Sequence, residues 1–371
     1  MKSRIFISVA ALAAVWGCGP KDGARDFEKA KAAYEVRDLV KADKLFASSL
    51  AAQPDDVDRL LYAARVKLDL GELSAAKDLV ARAALNSDGD VDVGLFEAQV
   101  AWHLKDYKTA ASGFAAIAND TKLSTEVRAQ AWVGLGLVEM SGNNNQLARI
   151  DFLRAMRLDR RNAAARYHLG LVYQDLGYHE AALEQFDAFV HLDGPADPRV
   201  QRVQLKTIPA LQESIARAAA ERPGVAKRDP AACASALAKA EAAVKKKALK
   251  TARAAYEEAL KADPLSYPAA LGLARAWENG DTTTAGQQKA FEAYRTACTL
   301  SPSAVRTFLA AGALSAKLGQ HAQAAEIYSR ALAASPTSLD AIDGFIRALR
   351  KTSRTNIAQA YQLYRDSLTQ K

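Results

Sequence analysis

The sequence is short of the residues from which metal sites, disulfide frameworks and membrane spans are built. It has 3 cysteines and 5 histidines in 371 residues. Three cysteines cannot make a disulfide framework. The histidines (His103, His168, His179, His191 and His321) include no His-x3-His pair, so no metal-ligand motif is present. They read as surface or partly packed side chains. There is no glycine-rich phosphate loop and no Ser/His/Asp or Cys/His set, and the carboxylates are scattered as on any solvated helical surface. No catalytic residue, metal or cofactor is therefore expected, and the chain is not expected to be an enzyme. Alternating runs of Val, Ile, Thr and aromatics are almost absent, which argues against sheets. No apolar run reaches the roughly 20 residues of a bilayer-spanning helix.

Charge is also modest. The formal net charge is +8. The one dense basic run, KKKALK at Lys245 to Lys250, has no interleaved aromatics and falls where cations favour a helix C-terminus. Nucleic acid is not expected as a partner. What is abundant is alanine, with leucine, glutamate, lysine and arginine. Alanine loses no side-chain entropy in a helix, so the chain reads as nearly all α.

The first residues, MKSRIFISVAALAAVWGCGP, form a positive start, an apolar stretch of about a dozen residues and a small-residue exit. Val15-Trp16-Gly17-Cys18 resembles the bacterial lipobox, with Trp16 departing from its usual small residue. That resemblance implies a signal peptide over 1–17, lipidation of Cys18 and a lipidated tether over 18–22. Loss of Lys2 and Arg4 with the leader leaves a net charge of +6 from the +8 of the whole chain. No Asp follows Cys18, which by the same resemblance favours the outer membrane, facing the periplasm. Cys233 and Cys298 then remain. They fall at different points of different repeats and read as free thiols.

The chain repeats itself. An alanine followed four residues later by a large residue occurs at Ala42/Phe46, Ala76/Val80, Ala110/Phe114, Ala148/Phe152 and Ala182/Phe186. It returns at Ala252/Tyr256, Ala290/Tyr294, Ala324/Tyr328 and, weakly, Ala360/Tyr364. Among the clear copies within each block the spacing is 34 residues, or 38 where NDTKLSTE and GDTTTAG add a surplus. Other marks keep the same register. A small residue recurs in the first helix (Ala30, Ala64, Ala98, Gly136, Gly170, Ala240, Ala274, Gly312), a turn glycine at Gly71, Gly177 and Gly319, and a closing proline at Pro54, Pro264, Pro302 and Pro336. The set resembles the tetratricopeptide repeat, a helix–turn–helix unit. One such unit cannot bury its own apolar face, so neighbours must stack. The small residues, Gly170 against Ala182 for example, are expected where paired helices come closest, with Tyr173 and Phe186 filling the space beside them. The fold class that follows is all-α: an α-solenoid of tetratricopeptide helix-turn-helix repeats in two blocks.

The first block is expected over 23–196, with five repeats. The second is expected over 233–371, with about four. Between them, 197–232 loses the register and reads as an irregular helical linker or a decayed repeat, with a helix broken before Pro209.

In the tetratricopeptide family the concave face is lined by set positions of each first helix. Carried over by register, this gives a partner-binding groove of Lys31 and Tyr34; Arg65, Leu68 and Asp69; Gln99, Trp102 and His103; Leu137 and Met140; Tyr167 and Gln174. Half-covered aromatics such as Tyr34 and Trp102 are the kind of side chain that anchors a partner. The second block's equivalent face is dominated by alanine. The Lys and Asn positions with which some members clamp a C-terminal carboxylate are absent.

The plan resembles lipoproteins that help type IV pilus secretins assemble. It implies a lipid-anchored scaffold that binds and helps assemble or hold another envelope protein, such as a secretin, an outer-membrane barrel or a motility or secretion subunit. The membrane is then reached through the lipid alone. The alternative is a peptidoglycan- or polysaccharide-associated lipoprotein using its basic surface.

Overall fold

The computed structural model describes residues 23–192, 197–221 and 228–369. The expected leader, the tether and Cys18 lie outside them. The described residues are helical throughout, with no strand among them. No helix among them is long and apolar enough to cross a membrane. The chain divides into two compact units, the first ending at Ile117 and the second running from Ala118. The division falls inside the five-repeat block rather than at 197–232.

The first unit holds antiparallel pairs. They are α1 (Gly23–Glu35) with α2 (Leu39–Ala52), α3 (Val57–Asp69) with α4 (Leu73–Asn86), and α5 (Val91–His103) followed by α6 (Tyr107–Asn119), which crosses the division. The starts are set by side chains that accept an otherwise orphaned backbone N–H: Asp38 from Lys41, Asp56 from Arg59 and Asp90 from Asp92. The core is the repeat pattern made solid. Ala42, Phe46, Ala63 and Val66 close one layer, and Leu60, Val80, Val93 and Phe96 the next.

The second unit opens with α7 (Thr125–Ser141) and α8 (Asn145–Leu158), then α9 (Ala163–Asp175) and α10 (His179–Leu192). The register is lost over α11 (Pro198–Arg202), a π-helical turn (Val203–Thr207) and α12 (Ile208–Ala220). Pairs then resume with α13 (Pro230–Lys245) and α14 (Leu249–Ala262), α15 (Tyr267–Gly280) and α16 (Thr284–Leu300). The last pairs are α17 (Val305–Lys317) with α18 (His321–Ala334) and α19 (Leu339–Lys351) with α20 (Thr355–Thr369). One apolar cluster runs through this unit from Ala129 to Tyr364.

The two long repeats carry long helices: α7 and α16 each have 17 residues where neighbouring α15 has 14. Two local expectations change. The helix before Pro209 is not broken. A π turn ends at Thr207 and places the proline in the first turn of α12, where its missing N–H leaves no gap. Secondly, Gly170 makes room for Phe186 rather than for Ala182. A Cβ there would lie 2.8 Å from the Phe186 ring, and one at Gly136 would lie 2.5 Å from Phe152. The small residue clears space for the large ruler residue of its own repeat.

Candidate partner-binding faces

In the first unit the expected groove residues come from α1, α3 and α5. Asp69 is their hub. Its carboxylate accepts from Arg37 Nη1 at 2.9 Å, and its charge acts on the Tyr34 phenol. The Tyr34 phenol is held above its ordinary value, first by burial and then by Asp69. Asp69 also acts on His103, where burial holds the imidazole below its ordinary value and Asp69 offsets part of the loss. His103 is therefore neutral near pH 7. The Trp102 ring meets His103 edge-on at 4.7 Å. Both Tyr34 and Trp102 are half-buried.

The cations of this face are placed on aromatic rings. Lys31 Nζ lies 5.4 Å from Phe27 and 5.8 Å from Tyr62, and Arg65 lies 5.4 Å from Tyr62 and 5.6 Å from Phe96. Leu68 is half-buried against the second core layer, and Gln99 is exposed. Tyr34, Arg65, Asp69, Trp102, His103 and Lys31 thus form one connected patch. Sequence reasoning missed two members. Arg37 sits in the turn beyond α1, outside the first helix that the register scans. Tyr62 lies next to a groove position, and its ring reaches the patch because Phe46 stacks beneath it at 5.8 Å.

The second unit treats its expected residues differently. Leu137 and Met140 are half-buried against the core. Tyr167 packs 5.2 Å from Phe189 and 6.1 Å from Phe186, with Arg199 of α11 5.6 Å over its ring. Its ring is half-buried, like those of Tyr34 and Trp102. Gln174 is exposed. Beside Tyr167, His168 stacks on Phe152 at 5.6 Å, and burial, with Arg199 adding to it, pushes its imidazole down to about 4. Its position is that of a packed neutral ring.

Chemistry is sparse elsewhere. No group of His, Cys, Asp and Glu that could hold a metal occurs among the described residues. Cys233 and Cys298 are buried and free, and burial pushes the Cys298 thiol up to about 12. A cleft of about 820 Å³ in the second unit is lined by Tyr178, His179, Ser214, Ile215, Phe308 and Arg330 among others. Ser214 Oγ lies 3.0 Å from His179 Nδ1. Among the described residues no carboxylate hydrogen-bonds to His179, so the pair lacks the orienting member of a triad.

What the first unit's patch can do is hold an extended or helical segment of another protein. It has half-covered rings for apolar contact, cations fixed over rings and one acid that orients its neighbours.

Several solved structures are similar to this chain. The thermophilic TPR protein TTC0263 of Thermus thermophilus has 18% identity and a TM-score of 0.44, over 51% of this chain and 99% of that one. The pilF protein of Pseudomonas aeruginosa has 15% identity and a TM-score of 0.40, over 68% and 97%. A MamA protein has 17% identity and a TM-score of 0.35, over 50% and 95%. No curated protein matches. A family model described as tetratricopeptide repeat matches residues 133–199 and 237–304. Its two matches fall on either side of the segment where the register lapses, and the helical pairs within the matched residues are tetratricopeptide repeats.

Proposed function

We propose that the chain is a lipid-anchored scaffold that binds another cell-envelope protein and helps assemble or hold its complex. The coarser part needs no proposal: tetratricopeptide repeats make a scaffold for protein–protein interaction. The finer part is supported by the leader that ends at Cys18 and by the patch on α1, α3 and α5. The observation that carries it is the patch, where Tyr34 and Trp102 stand half-covered around the Asp69 hub. Half-covered rings with fixed polar neighbours are the anchors of an interface. The envelope location rests on the leader alone: the MKSR start, the short apolar run and Cys18.

The test is a cross-linked pull-down from native membranes with wild type, Trp102→Ala and Cys18→Ser. The expected result is one dominant envelope protein recovered with wild type and lost, or reduced at least tenfold, with Trp102→Ala. Cys18→Ser is expected to move the chain from the membrane to the soluble fraction. Equal recovery with Trp102→Ala would remove the first unit's patch as the site. Membrane association unchanged by Cys18→Ser would remove the lipid anchor.

A further inference from the structure

Residues 118–371 close on themselves along one polar seam. On one side stand α8 and the turn before α10. On the other stand α18 and α20. Arg149 of α8 lies at its centre and is fully buried. Its Nε donates to the Tyr361 hydroxyl at 2.7 Å, and its Nη1 donates to the Ser329 carbonyl at 3.1 Å. The Tyr178 hydroxyl donates to Ser329 Oγ at 2.9 Å. Tyr178 also lines the cleft of about 820 Å³, so the cleft adjoins the seam. The cleft is lined mainly by second helices, α10, α16 and α18, together with α12. None of the groove residues expected from the repeat register lines it.

The apolar lining includes Phe308 of α17, Ile215 and Ala218 of α12 and Ala333 of α18. The cleft continues into a second one of about 310 Å³ through the shared residues Cys298, Phe308 and Arg330. Two joined clefts make a trough, which suits an elongated ligand. In the second cleft each charged side chain has a partner. Arg295 lies 3.0 Å from Glu292, and Arg330 lies 3.0 Å from Glu326.

Glu180 and Glu184 differ. Both line the first cleft and both are exposed. Among the described residues neither has a hydrogen bond or an ion pair. Glu180 stands in the first turn of α10, where a helix N-terminus favours an acid. Glu184 is one turn further on and lacks that support. Like charges at this spacing repel, so the pair costs stability until a cation joins it. The trough therefore combines apolar walls with two uncompensated negative charges on one helix.

We propose that this trough binds an extended basic segment of a partner protein, in which lysine or arginine side chains alternate with apolar ones. Alternate side chains of an extended chain point to opposite faces, so one face would meet the apolar walls and the other the two acids. The spacing agrees. Side chains four apart on a helix lie about 5–6 Å apart at Cβ, close to the roughly 6.6 Å between same-face residues of an extended chain. The site lies in the second unit and does not depend on the patch of α1, α3 and α5.

The test is fluorescence anisotropy of the full chain with the labelled peptide LKLKLKLK, beside LELELELE and SKSKSKSK. LKLKLKLK is expected to bind, and each of the other two about tenfold more weakly or not at all. The Ile215 methyl signal in NMR should shift with LKLKLKLK. Glu180→Gln with Glu184→Gln should weaken LKLKLKLK about tenfold. Ala218→Trp adds a large side chain from an exposed position and should block the peptide with an unchanged helical circular dichroism spectrum. Trp102→Ala should leave this binding intact. The trough is overturned if LKLKLKLK fails to bind, or if either control peptide binds as tightly. Affinity that survives both the double glutamate change and Ala218→Trp, or an Ile215 signal that does not move, would overturn it equally.

Discussion

At the scale of single residues, one backbone position recurs through the chain. The turn between paired helices needs a left-handed residue, and Gly71, Gly177 and Gly319 supply it with φ of 78°, 73° and 78°. The same register places Arg37, Lys105, Asn143, Lys247 and Ser353 there, with φ between 57° and 63°. A side chain in this region costs about 1–2 kcal/mol, partly offset by the entropy that glycine loses on folding. Lys247→Gly is therefore expected to stabilise its unit by about 0.5–1 kcal/mol, read as a raised denaturant midpoint with unchanged slope. Gly344 is the opposite case. A Cβ there would lie 2.3 Å from the Tyr328 ring. Gly344→Ala should lose about 1–3 kcal/mol from overpacking, despite alanine's better helix propensity. A neutral or stabilising result in the same denaturant titration would show that the Tyr328 ring can shift. The turn glycines and the ruler aromatics were legible in sequence because each is imposed by its own repeat. Gly344 and Gly272 were not, because the ring that each accommodates, Tyr328 or Tyr256, belongs to the preceding repeat.

At the scale of elements, the patch on α1, α3 and α5 can be probed without a partner. Asp69 raises the His103 imidazole against the lowering by burial, and it raises the Tyr34 phenol. Asp69→Asn should therefore lower the titration midpoint of His103 further below 6.5. The same change should lower that of Tyr34. Both are measurable by NMR titration. Stability should change by less than about 1 kcal/mol, since the Arg37–Asp69 pair is largely exposed. A His103 midpoint unmoved by Asp69→Asn would mean that the three helices do not share the hub. The register found nearly all of this patch because first-helix positions repeat with the fold. It did not show that Arg199 of α11, a helix in the stretch where the register lapses, stacks over the Tyr167 ring. The same stretch hid the π turn, because only the packing shows how Pro209 is accommodated. The long helices α7 and α16 of the two long repeats are capped by Ser124 and Thr283.

At the scale of the molecule, stacked repeats touch only their neighbours, and stability is then close to a sum along the chain. Residues 118–371 break that rule. Arg149 and Tyr361 lie 212 positions apart, yet their side chains are bonded in the seam. A period in the sequence announces neighbour contacts and is silent on such a closure. The visible trace was an arginine beside Ala148 on a helix face that buries Ile150 and Phe152. Closure changes what the last helix does. In an open stack, removing a terminal helix uncovers one interface, and the effect fades within a repeat or two. Here α20 covers α19 through Phe345 and Tyr361, whose rings meet edge-on at 4.8 Å, and it also covers Arg149 of α8. A chain ending at Arg354 should therefore lose hydrogen-exchange protection in two separated places. One is α19, beside the cut. The other is α8, whose guanidinium groups would lose Ala360, Tyr361 and Ser367 together. Peptides from α15, between them in sequence, should change far less. If protection is lost in α19 and fades evenly back along the chain with α8 untouched, the unit behaves as an open stack.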